Sequence, residues 1–514
     1  MGSIQRSSSR AVPASIILGV LLFITGCGGD HTQVAQTFTP TPTPVASPTP
    51  TPIASPTPTP APSPTPTPTP APAFTTAQIR IGDAPVNRVI DFEVTFGPGP
   101  LVVKLSTGQS VNLAVQKNRW ELSHMAGKME PLSIQAFPQG SVTSIQIPLT
   151  DPEVIYLDDL GAMHTFSGTA SQTVTVNLNP PLTIGSTPTI VTLDINVAST
   201  LTFDPAGAVT AIAFSGPTFT FGTRAIAAEA EQQDDDGEIE GVTGKVTLVN
   251  SSSFQLDAGQ GGAAITFVTD STTKLDNAVT LASLLNQIVK VEGFTQTDGS
   301  VFAKEVEKVA TDSGSEFEGM IIDEDGPPLS SNPPSIKVLV QDGNGNGMDP
   351  SKIGQAFSVA IDSSKFSNYT IDWGKIVNVG GSFDGREISP GQRVEVELPG
   401  GVPAPGVMTD IPTQIKLEQQ AISGIVKNFT QGTGGAAEFD LNLPADSFVT
   451  LLTKVTSVHV FVKPETDMKV QPIANNDTVR VRGLLFFHLT ADPANLGPKP
   501  WGVFGMIARR ITAP

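Results

Sequence analysis

Val289-Lys290-Val291-Glu292-Gly293 alternates apolar and polar side chains and stops on glycine. The alternation returns at Val394-Glu395-Val396-Glu397, without the glycine, and at Val479-Arg480-Val481-Arg482-Gly483. Alternation with period two puts the valines on one side of a strand and the charges on the other. Each stretch follows an opening segment of apolar, polar, glycine and apolar residues: Ile239-Glu240-Gly241-Val242, Phe317-Glu318-Gly319-Met320 and Ile422-Ser423-Gly424-Ile425. Each also precedes a closing one: Phe302-Ala303-Lys304-Glu305-Val306, Gln414-Ile415-Lys416-Leu417 and Met506-Ile507-Ala508-Arg509. The C-terminal part therefore reads as one β unit written three times, with unequal spacing that points to loop insertions. Copies of roughly 75 to 105 residues are long enough for separate small cores, unlike the short units of a solenoid.

In the first copy Phe254-Gln255-Leu256-Asp257 and Ile265-Thr266-Phe267-Val268 supply middle strands, and Leu281, Leu284, Leu285 and Ile288 fall at helix-like spacing. Five short strands with a helix between the third and fourth predict an OB-like barrel. The run from Leu284 to Gly293, then Asp298-Gly299 before Phe302-Ala303-Lys304-Glu305-Val306, resembles the domain-of-unknown-function family 5666. The second and third copies depart from it through insertions, so for them the resemblance implies a fold rather than a shared ligand.

Upstream, Gln78-Ile79-Arg80-Ile81, Phe92-Glu93-Val94-Thr95-Phe96, Val174-Thr175-Val176-Asn177-Leu178 and Leu193-Asp194-Ile195-Asn196-Val197 alternate in the same way. Strands with one buried face need a second sheet to cover them, which predicts a sandwich of the immunoglobulin-like or transthyretin-like kind. Trp120, Leu122, Met125 and Met129 suggest a short helix or irregular cover that ends before Pro131. Gly82-Asp83-Ala84-Pro85 after the first strand, with Phe92-Glu93-Val94 and Pro138-Gln139-Gly140-Ser141-Val142, resembles the domain-of-unknown-function family 4382 of exported bacterial lipoproteins. That resemblance implies a β-rich extracytoplasmic module concerned with binding and brings no catalytic residues. For Asp83 the simpler reading is a side chain that caps the turn before Pro85, rather than a ligand.

The start of the chain gives an address. Arg6 and Arg10 precede an apolar run from Ala14 to Phe23, too short to span a bilayer comfortably as a mature helix, and Ile24-Thr25-Gly26-Cys27 follows. The segment resembles a bacterial lipoprotein signal, in which Cys27 is acylated, with palmitate among the expected chains, and becomes the new N-terminus. Cys27 is the chain's single cysteine, so neither a disulfide framework nor a cysteine-rich metal site is available. An uncleaved membrane anchor and a cleaved soluble secretory signal are the alternatives. Each buried lipid methylene contributes roughly 0.8 kcal/mol, enough in multiply acylated form to hold the protein on a membrane without a transmembrane helix. Gly28 and Gly29, rather than an acidic residue, follow the cysteine, which by resemblance to enterobacterial lipoproteins implies the outer over the inner membrane. From Thr39 to Pro72 the Thr-Pro, Ser-Pro and Ala-Pro repeats form a stiff stalk, at about 3.1 Å per residue in polyproline II geometry.

The expected organisation is a signal peptide at 1–26, an acylated terminus and stalk at 27–75, a sandwich at 76–226, and an acidic linker at 227–238. Barrels follow at 239–312, 313–420 and 421–514. Abundant glycine (48) and proline (45) beside recurrent Thr and Val fit strands joined by tight turns, so the fold class is mainly β. A net charge of −19 argues against nucleic acid as a partner, since phosphate binding needs a basic surface.

Chemistry is sparse. His31, His124, His164, His459 and His488 are scattered and form no His-Glu-x-x-His pair. There is no Gly-x-Ser-x-Gly elbow and no phosphate-cradling loop. Asp342-Gly343-Asn344-Gly345-Asn346-Gly347 sets oxygen-bearing side chains at alternate positions with glycine at the sixth, and Asp349 follows, so Asp342, Asn344, Asn346 and Asp349 are candidate calcium ligands. Against this, the twelfth position is Ile353, and Asn-Gly runs also form hairpin turns without a metal. No other cofactor is expected. The reading is a non-enzymatic binding or structural module of the cell envelope, facing an envelope polymer or protein. The alternative is an envelope polysaccharide hydrolase using paired carboxylates that the sequence does not identify.

Overall fold

Wherever valine alternates with charge the backbone is extended, as in the strands Ile288–Thr295, Arg393–Leu398 and Thr478–Phe487. The computed structural model describes residues 73–83, 86–125, 129–168, 171–226, 238–257, 264–275, 280–310, 314–325, 333–345, 348–362, 364–373, 376, 383–404, 406–470, 472–487 and 504–513. Cys27, the stalk, Asn346, His31 and His488 lie outside them, as does the acidic linker apart from Glu238.

The fold is mainly β: a sandwich followed by three OB-like barrels. One sandwich sheet has four strands in the order Phe219–Ala225, Thr189–Ile195, Phe74–Asp83, Met129–Pro138. The other is built on the long strand Gly140–Leu157, which pairs with Val89–Phe96, Leu101–Leu105, Met163–Ser167 and Gln172–Ile184. Phe92, Val94, Ile147, Leu132, Ile81 and Leu193 fill the space between the sheets and are almost fully buried. The cover expected around Trp120 is smaller than the sequence suggests. Arg119–Glu121 is a strand, Ser123–Met125 is one helical turn, and Pro131 lies inside the next strand rather than beyond a boundary. Proline fits there because the register slips: Ser133 opposes Ile79 and Pro131 opposes Arg80, leaving Leu132 as the extra residue of a bulge on an edge strand.

In the first barrel the strands Glu238–Val249, Ser253–Asp257, Ile265–Val268, Ile288–Thr295 and Val301–Ala310 close in the order first, second, third, fifth, fourth, with the third and fifth parallel. The third barrel closes identically through Gln419–Gln431, Ala437–Asn442, Ser457–Met468, Phe504–Thr512 and Thr478–Phe487. The second keeps that order in Ser315–Glu324, Ser335–Gly345, Ala356–Ala360, Arg393–Leu398 and Gln414–Leu417, but its third and fifth strands do not pair. Thr409 engages the free edge of the third strand instead. Its N–H donates to the Ser358 carbonyl at 2.9 Å, and its Oγ1 accepts from the Ala360 N–H at 3.2 Å.

The recurring glycine of the return strand has a steric cause. A Cβ on Gly293 would sit 2.1 Å from the Phe302 carbonyl oxygen, and one on Gly483 2.1 Å from that of Ile507. Both positions coincide with a register shift, where the barrel curls and two backbones close on each other.

Two expectations need correcting. The helix of the first copy is a single 3-10 turn, Leu281–Leu284; the described α-helix, Phe448–Thr453, lies in the third barrel between its second and third strands. The cores are also not separate. Leu484, Phe486 and Ile507 of the third barrel pack with Phe317, Val338 and Val396 of the second, while Ile90, Ile155 and Leu157 of the sandwich pack with Phe448, Val449 and Leu451.

Candidate functional site

The third barrel carries a groove of about 300 Å³ between the turn that joins its first two strands and the exit of its third. Gly434 and Gly435 both take positive φ and turn the hairpin. Opposite it the register against the fifth strand slips between Val462 and Asp467, so residues 463–466 bow outward. The Lys463 N–H donates to Thr466 Oγ1 at 2.9 Å, and Thr466 Oγ1 donates to the Ala508 carbonyl at 2.9 Å, fixing the bow. Thr430, Thr433, Ala436, Glu438, Phe461 and Lys463 are among the lining residues. Beside the groove His459 bridges two carboxylates, with Nδ1 2.8 Å from Asp440 Oδ1 and Nε2 3.4 Å from Glu438 Oε2. Its ring meets that of Phe461 edge-on, with centroids 4.9 Å apart. The second and third strands with the loop between first and second are the face OB folds offer to ligands.

A second constellation lies where the first two barrels meet. Lys290 Nζ of the first is 2.5 Å from Glu395 Oε2 of the second, 3.6 Å from Glu318 Oε1 and 3.8 Å from Glu418 Oε1. Lys416 Nζ takes the other Glu395 oxygen at 2.5 Å, and Arg393 Nη2 takes Glu318 Oε2 at 2.5 Å. Arg393 Nη1 also donates to the His124 carbonyl at 2.8 Å, tying in the sandwich. Burial pushes the Glu395 carboxyl up, but Lys290 and Lys416 outweigh it and hold the group below its ordinary range. Glu316 goes the other way, lifted well above that range by burial and by the charge of Glu395. Burial lifts Glu418 likewise.

Glu316, Glu318 and Glu395 each place an oxygen within 4.8 Å of the others, a donor set for a hard cation. The fit fails on the neighbours: both Glu395 oxygens are held by ammonium groups and Glu318 is held by a guanidinium. Cations of the chain already fill that space.

Of the calcium candidates, Asn346 lies outside the described residues, and Asp342 and Asp349 have partners within the chain. Asp342 and Asn344 belong to a strand, not a loop, and Asp342 Oδ2 accepts from Lys117 Nζ of the sandwich at 2.7 Å. Asp349 caps the helical turn Pro350–Lys352, accepting from the Ser351 N–H at 2.9 Å. His124 is buried between Glu121 Oε2 at 2.8 Å and Glu130 Oε1 at 3.0 Å, and His164 sits 2.9 Å from Asp158. Sequence reading missed Lys290, Arg393, Glu395, Lys416 and Glu418. The signal present was the match of basic and acidic residues on the polar sides of consecutive strands.

A family model described as a domain of unknown function (DUF5666) matches residues 243–307, the first barrel. No curated protein matches the chain. Among solved structures, a deletion mutant of the single-stranded DNA binding protein from Thermus aquaticus is similar at 13% identity, covering 39% of this chain and 94% of that one, with a TM-score of 0.15. The wild-type form of that protein is similar at 13% identity and a TM-score of 0.14, covering 39% and 92%.

Proposed function

We propose that this protein is a lipid-tethered, extracytoplasmic binding module of the cell envelope. In this reading Cys27 carries the anchor, the Thr/Pro stalk sets the distance from the membrane, and the third-barrel groove takes the ligand. The observation that carries it is that groove of about 300 Å³, which lies on the ligand-binding face of an OB-like barrel. Its lining mixes hydroxyls, one carboxylate among the described residues and one ammonium, which suits a neutral polar polymer such as a glycan better than a polyanion. The net charge of −19 favours the same choice.

The test is a glycan and envelope-protein binding screen on the full chain beside an Ala436→Trp variant, whose indole fills the groove from its rim. The reading requires a ligand that the variant loses; a ligand held equally well by both would remove the groove from the account. Mass spectrometry of the native N-terminus tests the anchor independently. An unmodified thiol at Cys27, or residues retained before it, would overturn that part.

A further inference from the structure

The seam between the first and second barrels contains more acid than base. Four carboxylates converge there, Glu316, Glu318, Glu395 and Glu418, against three cations, Lys290, Lys416 and Arg393. Among the described residues, further acids bear on the cluster. Glu397 and Glu307 face the cluster from neighbouring strands, and Asp372 faces Glu418. On the sandwich side Lys117 is taken by Asp342 and Glu130, while Glu121 and Glu130 bear on Arg393 and also flank His124.

Two of the four carboxyl groups each leave one buried oxygen without a hydrogen-bond donor. Glu316 Oε2 and Glu418 Oε1 are buried and accept no hydrogen bond, although their residues are only 3% and 7% exposed. Glu418 Oε1 is approached at longer range by Lys290 at 3.8 Å and Lys416 at 4.0 Å. A buried charged oxygen without a donor is costly, and a proton on the carboxyl removes the charge.

We propose that this seam is a proton-operated latch: closed, it holds a proton on the Glu316 and Glu418 carboxyls, and it releases that proton when the barrels part and water reaches the cluster. The raised affinity of both groups for protons agrees with the geometry. The sign follows from linkage. A carboxyl that holds its proton more tightly when folded stabilises the fold fully below its ordinary titration range, near 4.5, and loses that contribution as pH rises through its folded value. Acid closes the latch and alkali loosens it.

The experiment is the urea midpoint of the full chain across pH 5 to about 9, at fixed ionic strength and with chelator present. Each retained proton changes the folding equilibrium about tenfold per pH unit. Glu316→Gln and Glu418→Gln, neutral mimics of the protonated acid, should each flatten the alkaline loss. Glu305→Gln, at the exposed pair with Lys274, should leave the slope as it is. Slopes unchanged in both Gln variants would overturn the proposal. So would a slope that divalent cations abolish, since a metal rather than a proton would then balance the charge. If neither variant folds, proton release on unfolding an Asp91→Asn chain at about pH 8.5, above the values near 7 to which Glu93 and Glu397 are raised, read by calorimetry in buffers of different ionisation heat, decides: release supports the latch and its absence overturns it.

Discussion

Lys290 of the first barrel and Glu395 of the second form an ion pair of 2.5 Å across the seam, and the Glu395 side chain is only 1% exposed. Removing one partner from a buried pair leaves an uncompensated charge in the interior and costs about 3–5 kcal/mol. Lys290→Met should therefore lower the urea midpoint by an amount of that order. Lys274→Met removes a pair of almost the same length, 2.6 Å, with Glu305, but its side chain is 61% exposed. That change should cost no more than about 1 kcal/mol. Equal losses in the two variants would mean that the seam is hydrated in solution.

The barrel glycines give a sharper contrast. Gly293→Ala and Gly483→Ala each drive a methyl to 2.1 Å from a carbonyl oxygen of the neighbouring strand, while a Cβ on Gly185 meets nothing within 4 Å. Overpacking of this kind costs typically about 1–3 kcal/mol. Thermal unfolding should show a clear loss for the first two variants and almost none for Gly185→Ala.

Val394 and Glu395 show how much of this was legible in the sequence. Alternation marks Arg393–Leu398 as a strand, and the structure agrees. The same alternation assigns one face to a core and the other to water, yet Val394 is 0% and Glu395 1% exposed. The charged face is covered because a neighbouring barrel packs on it, and no local pattern announces such packing. Leu484 and Phe486 carry the same lesson in apolar form, since strand Thr478–Phe487 is buried on both sides by two barrels. For the groove, Gly434 and Gly435 marked the turn, but the bow at 463–466 depends on a register slip against a strand some forty residues away.

Thr409 offers a local test of how the second barrel is held together. Thr409→Ala keeps the backbone bond to Ser358 and deletes the acceptor of the Ala360 N–H. A neutral hydrogen bond contributes about 0.5–1.5 kcal/mol. Hydrogen exchange should accelerate at the Ala360 amide, while amides of the closed third barrel, such as Val460, keep their rates.

Glu397 should impose a pH dependence of its own. Burial, followed by the nearby charge of Glu395, pushes its carboxyl up from 4.5 to about 7. Below about pH 4.5 the group is protonated whether the chain is folded or not, so it adds no pH-dependent cost. As pH rises toward 7 the unfolded chain ionises freely while the folded one resists, and stability falls; above about 7 the loss is complete. Glu397→Gln removes that loss and keeps an acceptor near Thr413 Oγ1, which lies 3.5 Å from the carboxylate. Its stability relative to wild type should be near zero at pH 4.5 and grow to about 1–3 kcal/mol at pH 8. Denaturant midpoints at the two pH values measure this directly. A difference that does not change with pH would mean that Glu397 ionises as freely in the folded chain as in the unfolded one.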